Sequence, residues 1–251
     1  MKTTDKFTGK AEIYVKYRPG YPAEYIDYLT GYNALAPGAA VADIGAGTGK
    51  FTRQLLERNF NVIAVEPNDD MRSTAVKSLR HYPNFASQNG SAENTGLQDE
   101  STDLITVAQA FHWFDKTKFR QECKRILKKE SNVALVWNSR DLSSRLVAEN
   151  AEICKRFCPQ FKGFSGGIEE TPEVFAQFFR NGRYDYQSFD NHLEYSLDDF
   201  IGRNLSASYA PKSTEPDYHK FIEAITELFN KYSEDDKIIL PNITRSYIGK
   251  V

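Results

Sequence analysis

The stretch "VADIGAGTGKFTRQL", Val41–Leu55, decides the fold. Its first four residues read as a short buried strand, and glycines follow at Gly45, Gly47 and Gly49. Apolar residues then recur at helical spacing through "GKFTRQLLERN". A strand, a tight glycine turn and a helix make the first half of a βα unit, and ligands of open parallel sheets bind at the carboxyl ends of such strands. A dinucleotide fingerprint would put its third glycine at position 50, where this chain has Lys50; the actual glycine comes one position early, at Gly49. Asp43 stands two residues before Gly45. A carboxylate there repels a pyrophosphate and suits a ligand carrying an ammonium or sulfonium.

The next strand supports this reading. "NVIAVEP" (Asn61–Pro67) ends in Glu66, where a carboxylate accepts hydrogen bonds from both hydroxyls of a ribose. Together Asp43, the glycines and Glu66 describe a site for a nucleoside with a cationic, phosphate-free tail.

Further along, the alternation continues. "NDDMRSTAVKSLRHY" reads as a helix, "FASQNGSAE" contains a weak strand, and "TDLITVAQA" is a strong strand. "KTKFRQECKRILKK" is a helix and "NVALVWNS" a strand. Strands alternating with helices imply a parallel, doubly wound sheet. After Asn138 the pattern changes. Helices are expected over "SRDLSSRLVAENAEICKRFC", "TPEVFAQFFRNG", "LDDFIGRNLSASY" and "DYHKFIEAITELFNKYS", an alternating strand over "YDYQSFDNHLEYS", and a final antiparallel strand over "NITRSYIGKV". The opening segment "AEIYVKYRPGYPAEYIDYLTGYN" is dense in tyrosine and helical in its second half.

Composition narrows the partner class. The 251 residues carry 32 basic and 34 acidic side chains, well mixed, for a formal net charge of -2. No basic stripe points to nucleic acid or an anionic membrane, so a small molecule is the expected partner. No apolar run approaches the ~20 residues of a membrane span, and the start "MKTTDKFTGKAEIYVKY" lacks the apolar stretch of a signal peptide, so a cytoplasmic protein is expected. Cys123, Cys154 and Cys158 fit neither a disulfide framework nor a zinc site; they are expected as buried or half-buried thiols on helices, and no metal is expected.

On these motifs the chain resembles the class I S-adenosylmethionine-dependent methyltransferases over most of its length. "DIGAGTGKFT" is similar to that family's first motif and "VIAVEPNDDM" to its second. "DLITVAQAFHWFD" and "YVKYRPGYP" resemble the small-molecule branch related to trans-aconitate methyltransferases. The resemblance implies an α/β, Rossmann-like, doubly wound sheet of seven strands, the last antiparallel, with helical cap elements. It divides one domain, 1–251, into an N-terminal cap segment (1–32), a cofactor-binding core (33–140), the rest of the core with an inserted helical cap (141–240) and a final strand (241–251).

The resemblance also implies S-adenosyl-L-methionine as cofactor and S-adenosyl-L-homocysteine as product. Cofactor contacts are then expected at Asp43, Gly45, Ala46, Gly47, Gly49, Glu66, Pro67 and Met71, at Ser91, Ala92 and Glu93 in the segment that meets the adenine edge, and at Gln109. The family often has aspartate where this chain has Ser91. Methyl transfer from a sulfonium is an in-line displacement that needs alignment and exclusion of water. His112 is a candidate general base for a hydroxyl or amine acceptor, or a packed histidine. Arg18 is a candidate for gripping a carboxylate, or a surface ion pair. Tyr14, Tyr17, Trp113, Trp137 and Tyr209 are candidates for the acceptor wall. The place after the fourth strand reads "QAFHWF" and lacks the N/D-P-P-Y/F motif of amino-methylating DNA and glutamine enzymes. The resemblance to the trans-aconitate branch implies a small organic acid or other metabolite as acceptor, in a monomer or homodimer. Two other readings are a catalytically silent cofactor-binding module and a nicotinamide-dependent oxidoreductase.

Overall fold

The computed structural model describes residues 19–164, 171–207 and 209–251. Among the described residues the first element is α1 (Ala23–Tyr32), followed by β1 (Ala40–Ile44), α2 (Lys50–Leu56), β2 (Asn61–Val65), α3 (Asp69–Leu79), β3 (Phe85–Gln88), β4 (Thr102–Ala108), α4 (Lys116–Ile126) and β5 (Leu127–Arg140). β1, β2 and β4 are short, apolar and largely buried on both faces, the composition a helix-covered parallel sheet requires. Val41, Ala42, Ile44, Leu104, Ile105 and Val107 have no exposed surface at all.

The second half adds α5 (Arg145–Phe157), α6 (Pro172–Phe178), β6 (Asp185–Asp190), β7 (Leu193–Tyr195), α7 (Leu197–Leu205), α8 (Tyr218–Tyr232), β8 (Ile238–Leu240) and β9 (Asn242–Gly249). The main sheet has seven strands in the order β3-β2-β1-β4-β5-β9-β6. From β3 to β5 the pairings are parallel, and β9 runs antiparallel to both β5 and β6. The seven-stranded Rossmann-like sheet with an antiparallel last strand, expected from the sequence, is therefore present.

Two apolar layers enclose this sheet. On one face Tyr25, Ile26 and Leu29 of α1 and Phe51, Leu55 and Leu56 of α2 pack on Val41, Val62, Leu104, Ala134 and Val136. On the other, Phe119, Cys123 and Ile126 of α4 and Phe175 and Phe178 of α6 pack on Ala42, Ile44, Ile105 and Val107. Each such fully buried large side chain contributes about 1.5–3 kcal/mol relative to exposure, so both faces are held by many interchangeable contacts. A third cluster lies outside the sheet: Leu146, Val147 and Phe157 of α5, Phe200 of α7 and Phe221, Ile225 and Phe229 of α8 form the core of a helical cap. Cys123, Cys154 and Cys158 are all buried and unbridged.

Three details differ from the sequence expectation. The alternating run "YDYQSFDNHLEYS" splits into β6 and β7, which lie in different sheets. Asn191 makes the break, donating its N–H to the Asn242 carbonyl and its side-chain amide to Gly20, Asn138 and Thr244. β8, which pairs with β7 across the cap, was not expected; only Pro241 separates its three residues from β9. Finally, the run "ILKK" does not continue α4. The helix stops at Ile126, and β5 begins at Leu127 with an irregular register to β4 around Glu130, whose φ is +66°.

Candidate functional site

The site begins where β1 ends. Gly45 and Ala46 both donate their N–H groups to the Val65 carbonyl of β2, and Gly49 donates to Ala46, so the loop doubles back before α2 starts. Gly45, Gly47 and Gly49 have φ of +72°, +58° and +77°, a region that side chains with a Cβ enter at a cost. The space around them separates their roles. A Cβ on Gly45 would lie 2.7 Å from Ala110 Cβ, and one on Gly49 would lie 2.6 Å from Leu79 Cδ1. A Cβ on Gly47 would meet nothing within 4 Å. Two glycines let the loop pack on its own protein, and the middle one faces open space.

Asp43 is fully buried beneath this loop. Its carboxylate accepts hydrogen bonds from Thr52 Oγ1 at 2.6 Å and Thr106 Oγ1 at 3.1 Å, joining α2, β1 and β4. Burial raises its pKa to about 6, helped by the nearby negative charge of Glu66 and opposed by the two threonine hydroxyls. Glu66 ends β2 with 9% of its surface exposed. One oxygen accepts the Gly47 N–H and the other the Asn68 N–H, each at 2.9 Å. Burial raises the Glu66 pKa too, against the pull of those amides and of Arg72.

Around the second strand end, Asn68 caps α3 by accepting the Met71 N–H at 3.0 Å; Met71 is buried and Pro67 half-buried. Ser91, Ala92 and Glu93 form a tight turn in which Ser91 and Asn94 exchange backbone hydrogen bonds and Ser91 Oγ accepts the Asn94 N–H. Glu93 reaches away from that turn: its carboxylate accepts the Asp115 N–H at 2.9 Å, just before α4.

After β4 the backbone is strained. Gln109 holds φ of +61°, with its N–H on the Val136 carbonyl and its amide on the Asn138 carbonyl at 3.0 Å. Phe111–Trp113 then form a 3-10 turn. Its Phe111 is buried among Phe119, Phe178 and Trp137, which anchors the turn from below. His112 is half-buried against Trp113, and burial, with Lys116 nearby, pushes its pKa down to about 4. Its imidazole is thus neutral near pH 7. Trp113 is 38% exposed. Trp137 packs edge-on against Phe111, Phe175 and Tyr247 and so supports the turn. Tyr209 sits in the cap beside Phe161.

Tyr14, Tyr17 and Arg18 lie outside the described residues. The residues that follow them are firmly tied down. The Gly20 carbonyl accepts from Asn138 at 2.9 Å and from Asn191 at 3.1 Å, and Tyr21 exchanges two hydrogen bonds with the Gln54 amide. This clasp was not foreseen from the sequence. Neither were Thr52 and Thr106, although a threonine amid the apolar run "TDLITVA" is a signal that a hydroxyl is needed inside. Phe114 lies 3.2 Å from where a Gly45 Cβ would stand and walls the loop.

Residues 42–135 match the model of a methyltransferase domain family. An uncharacterized methyltransferase of Mycobacterium tuberculosis is 41% identical over 152 residues, 60% of this chain and 59% of the relative. The match therefore spans about three-fifths of that relative's length. A second, from Schizosaccharomyces pombe, is 26% identical over 247 residues, 96% of this chain and 95% of the relative. Among solved structures, one assigned as a type II methyltransferase from Anaeromyxobacter dehalogenans superposes with a TM-score of 0.68 at 20% identity, covering 93% of this chain and 97% of that one. A SAM-dependent methyltransferase from Aquifex aeolicus superposes at 0.53 with 18% identity, covering 71% and 89%. The domain match thus spans the loop that joins β1 to α2 together with β2, β3 and β4, and the sheet around it has the order shared by these solved methyltransferase folds.

Proposed function

We propose that the protein transfers a methyl group from S-adenosyl-L-methionine to a small-molecule acceptor, with a carboxylate as the favoured acceptor group. The observation that carries this reading is the joint placement of Gly47 and Glu66. An open glycine and a carboxylate meet at the adjoining ends of β1 and β2, with the second acid, Asp43, directly below. Two acids at adjoining strand ends favour a cationic ligand and disfavour a phosphate.

In this arrangement Glu66 would take the ribose hydroxyls, exchanging its bonds to Gly47 and Asn68 for them in part. Asp43 would act on the ammonium of the methionine part through water or through the loop, since its own oxygens are engaged by Thr52 and Thr106. The backbone of Gly45, Ala46, Gly47 and Gly49 would flank the same part, with Gln109 at its far end. Pro67, Met71, Ser91 and Ala92 would border the adenine, and Glu93 would hold that border against α4. The bound cofactor supplies the methyl cation equivalent.

His112 is assigned a positioning role in this reading. An imidazole held neutral with a pKa near 4 is a weak proton acceptor at pH 7. That suits an acceptor carboxylate, which attacks with no proton to lose. Arg18, Tyr14, Tyr17, Trp113, Trp137 and Tyr209 are proposed as acceptor-side residues, by analogy with the trans-aconitate branch. A cytoplasmic location is proposed on composition.

Calorimetric titration with S-adenosyl-L-methionine and S-adenosyl-L-homocysteine tests the reading. Micromolar binding is expected, and no binding at millimolar ligand would overturn it. Incubation with a metabolite extract separates an enzyme from a silent binding module. A methylated product that disappears with Glu66→Ala excludes the module.

A further inference from the structure

Glu122 lies on the buried face of α4 and is 8% exposed, a position where an acid needs full compensation. It has that compensation. One carboxylate oxygen accepts the Thr95 N–H at 2.8 Å, the Thr95 hydroxyl at 2.6 Å and a proton of Arg125 Nη2 at 2.7 Å, and the other accepts Arg125 Nε–H at 2.9 Å. Burial pushes the Glu122 pKa up, but the bonds from Arg125 and Thr95 prevail and hold it down to about 2, so the acid is charged at neutral pH. Arg125 Nη1 reaches on to the Leu97 carbonyl at 2.7 Å and to the exposed Asp99 carboxylate at 2.6 Å. Thr95 itself is fully buried, and its hydroxyl oxygen accepts the Leu97 N–H at 3.2 Å.

This strap fixes the turn that precedes it. Ser91 and Asn94 exchange backbone hydrogen bonds, Ser91 Oγ accepts the Asn94 N–H at 3.2 Å, and Thr95 follows directly. On the other side of the turn, a Cβ on Gly90 would stand 2.5 Å from the Thr95 carbonyl oxygen, so the chain leaving β3 packs on the strapped residue. Glu93 adds a second tie to α4, through the Asp115 N–H. The turn also adjoins the end of β2. The Glu66 N–H donates to the Gln88 carbonyl at 3.1 Å, three residues before Ser91, so a base carried on a ribose at Glu66 would reach this turn.

We propose that Glu122 and Thr95 are positioning residues for the nucleobase of the cofactor: by strapping the Ser91–Asn94 turn to α4 they fix the groups that read the edge of adenine, and so set a preference for adenine over hypoxanthine. The inference rests on the methyltransferase reading above. The edge of adenine offers an amino donor beside a ring-nitrogen acceptor, and hypoxanthine reverses both. A serine hydroxyl donates or accepts, so Ser91 and the backbone of its turn separate the two bases only when the protein sets their orientation. Polar groups held to within about 0.5 Å reject a mismatched partner strongly, because the misfitted groups are left unpaired. A buried ion pair is a costly way to secure a loop, and apolar residues of equal volume serve stability as well or better. Orientation of the turn is the use that such a pair serves.

The test uses the full chain and the variants Thr95→Val, Glu122→Gln, Thr95→Ser and Asp99→Ala. Calorimetry gives the affinities for S-adenosyl-L-homocysteine and for S-inosyl-L-homocysteine, its deaminated analogue, and thermal melts give stability. The wild type is expected to bind the adenosyl compound about tenfold to a hundredfold more tightly. Thr95→Val and Glu122→Gln should weaken the adenosyl compound about tenfold and the inosyl compound less than about threefold, so that the preference shrinks. Thr95→Ser keeps the hydroxyl, and Asp99→Ala removes only an exposed partner of Arg125; both should retain the preference. A merely structural strap would instead lower the melting temperature and both affinities together. If Thr95→Val melts too early to titrate, Glu122→Gln, which keeps the shape of the acid, carries the comparison. A preference unchanged in Thr95→Val and Glu122→Gln, an equal loss for the two compounds, or a loss in Thr95→Ser as large as in Thr95→Val overturns the proposal. So does a wild type that binds both compounds equally, an outcome that leaves the methyltransferase reading standing. Failure of the wild type to bind either compound overturns that reading, and the proposal with it.

Discussion

Glu66 accepts the Gly47 N–H across 2.9 Å, so the acid that closes β2 is bonded to the loop that closes β1. A second amide, that of Asn68, takes its other oxygen. Glu66 therefore organises the two strand ends as one unit. Removing its carboxylate should weaken cofactor binding by about 1 to 3 kcal/mol, the range for charge-assisted hydrogen bonds to a buried acid. Titration of Glu66→Ala with S-adenosyl-L-homocysteine measures this, and Glu66→Gln, which keeps the shape, should recover part of it. An unchanged dissociation constant in Glu66→Ala would exclude Glu66 from the site.

Asp43 gives a stability signature that does not depend on ligand. Burial disfavours its charge and raises its pKa from the ordinary 3.8 to about 6. Between those two values the unfolded chain has released the proton while the folded protein still holds it. The contribution of Asp43 to stability is full below about pH 4 and falls as pH rises through about 6, by a total on the order of 2 to 3 kcal/mol. Asp43→Asn lacks this titration. Its melting temperature relative to wild type should rise between pH 4 and pH 7, measured without cofactor. A difference that stays constant with pH would mean Asp43 is already charged throughout.

The parts of the molecule that sequence made legible are those where one residue type has one physical use. Strands buried on both faces can only read as apolar runs, and the left-handed turns at Gly45, Gly47 and Gly49 call for glycine, so β1, its loop and β2 stand out. The cap does not. β7 and β8 are three residues each, too short for a periodicity, and are set by pairing across 43 to 47 positions of chain, as in Tyr195↔Ile238 and Leu193↔Leu240. Side-chain direction was equally hidden. Glu93 reads as an adenine neighbour, yet its carboxylate holds the Asp115 amide, and nothing in "NGSAENTGL" tells which way it turns. Arg140 is one arginine in "NSRD" until the cap closes over it.

The three glycines should respond differently to alanine. At Gly45 a Cβ must stand 2.7 Å from Ala110 Cβ and 3.2 Å from the Phe114 ring, in addition to a φ of +72°. Overpacking of a tight contact and left-handed strain together predict a loss of about 2 to 4 kcal/mol. At Gly47 the strain alone remains, about 1 to 2 kcal/mol. Thermal melts should therefore rank Gly45→Ala well below Gly47→Ala. Cofactor titration should reveal a defect in the folded Gly47→Ala protein beyond its small loss of stability, because its new methyl group enters the open side of the loop. Equal melting temperatures for the two would contradict the packing at Gly45.

His112 separates two kinds of acceptor chemistry. Burial and the neighbouring Lys116 hold its pKa near 4, so it is neutral across the range in which the enzyme would be assayed. As a general base it would have to supply about a hundredfold to ten-thousandfold, and activity would then follow its ionisation at low pH. As a neutral residue packed on Trp113 it positions the acceptor and carries no proton. The second role predicts that His112→Gln, with a similar reach and an amide for the ring nitrogen, keeps kcat within about tenfold. It also predicts that kcat/KM of the wild type has no inflection near pH 4 that is absent from the variant. A loss of a hundredfold or more in kcat, with such an inflection removed, would make His112 the base and exclude a carboxylate as the attacked group.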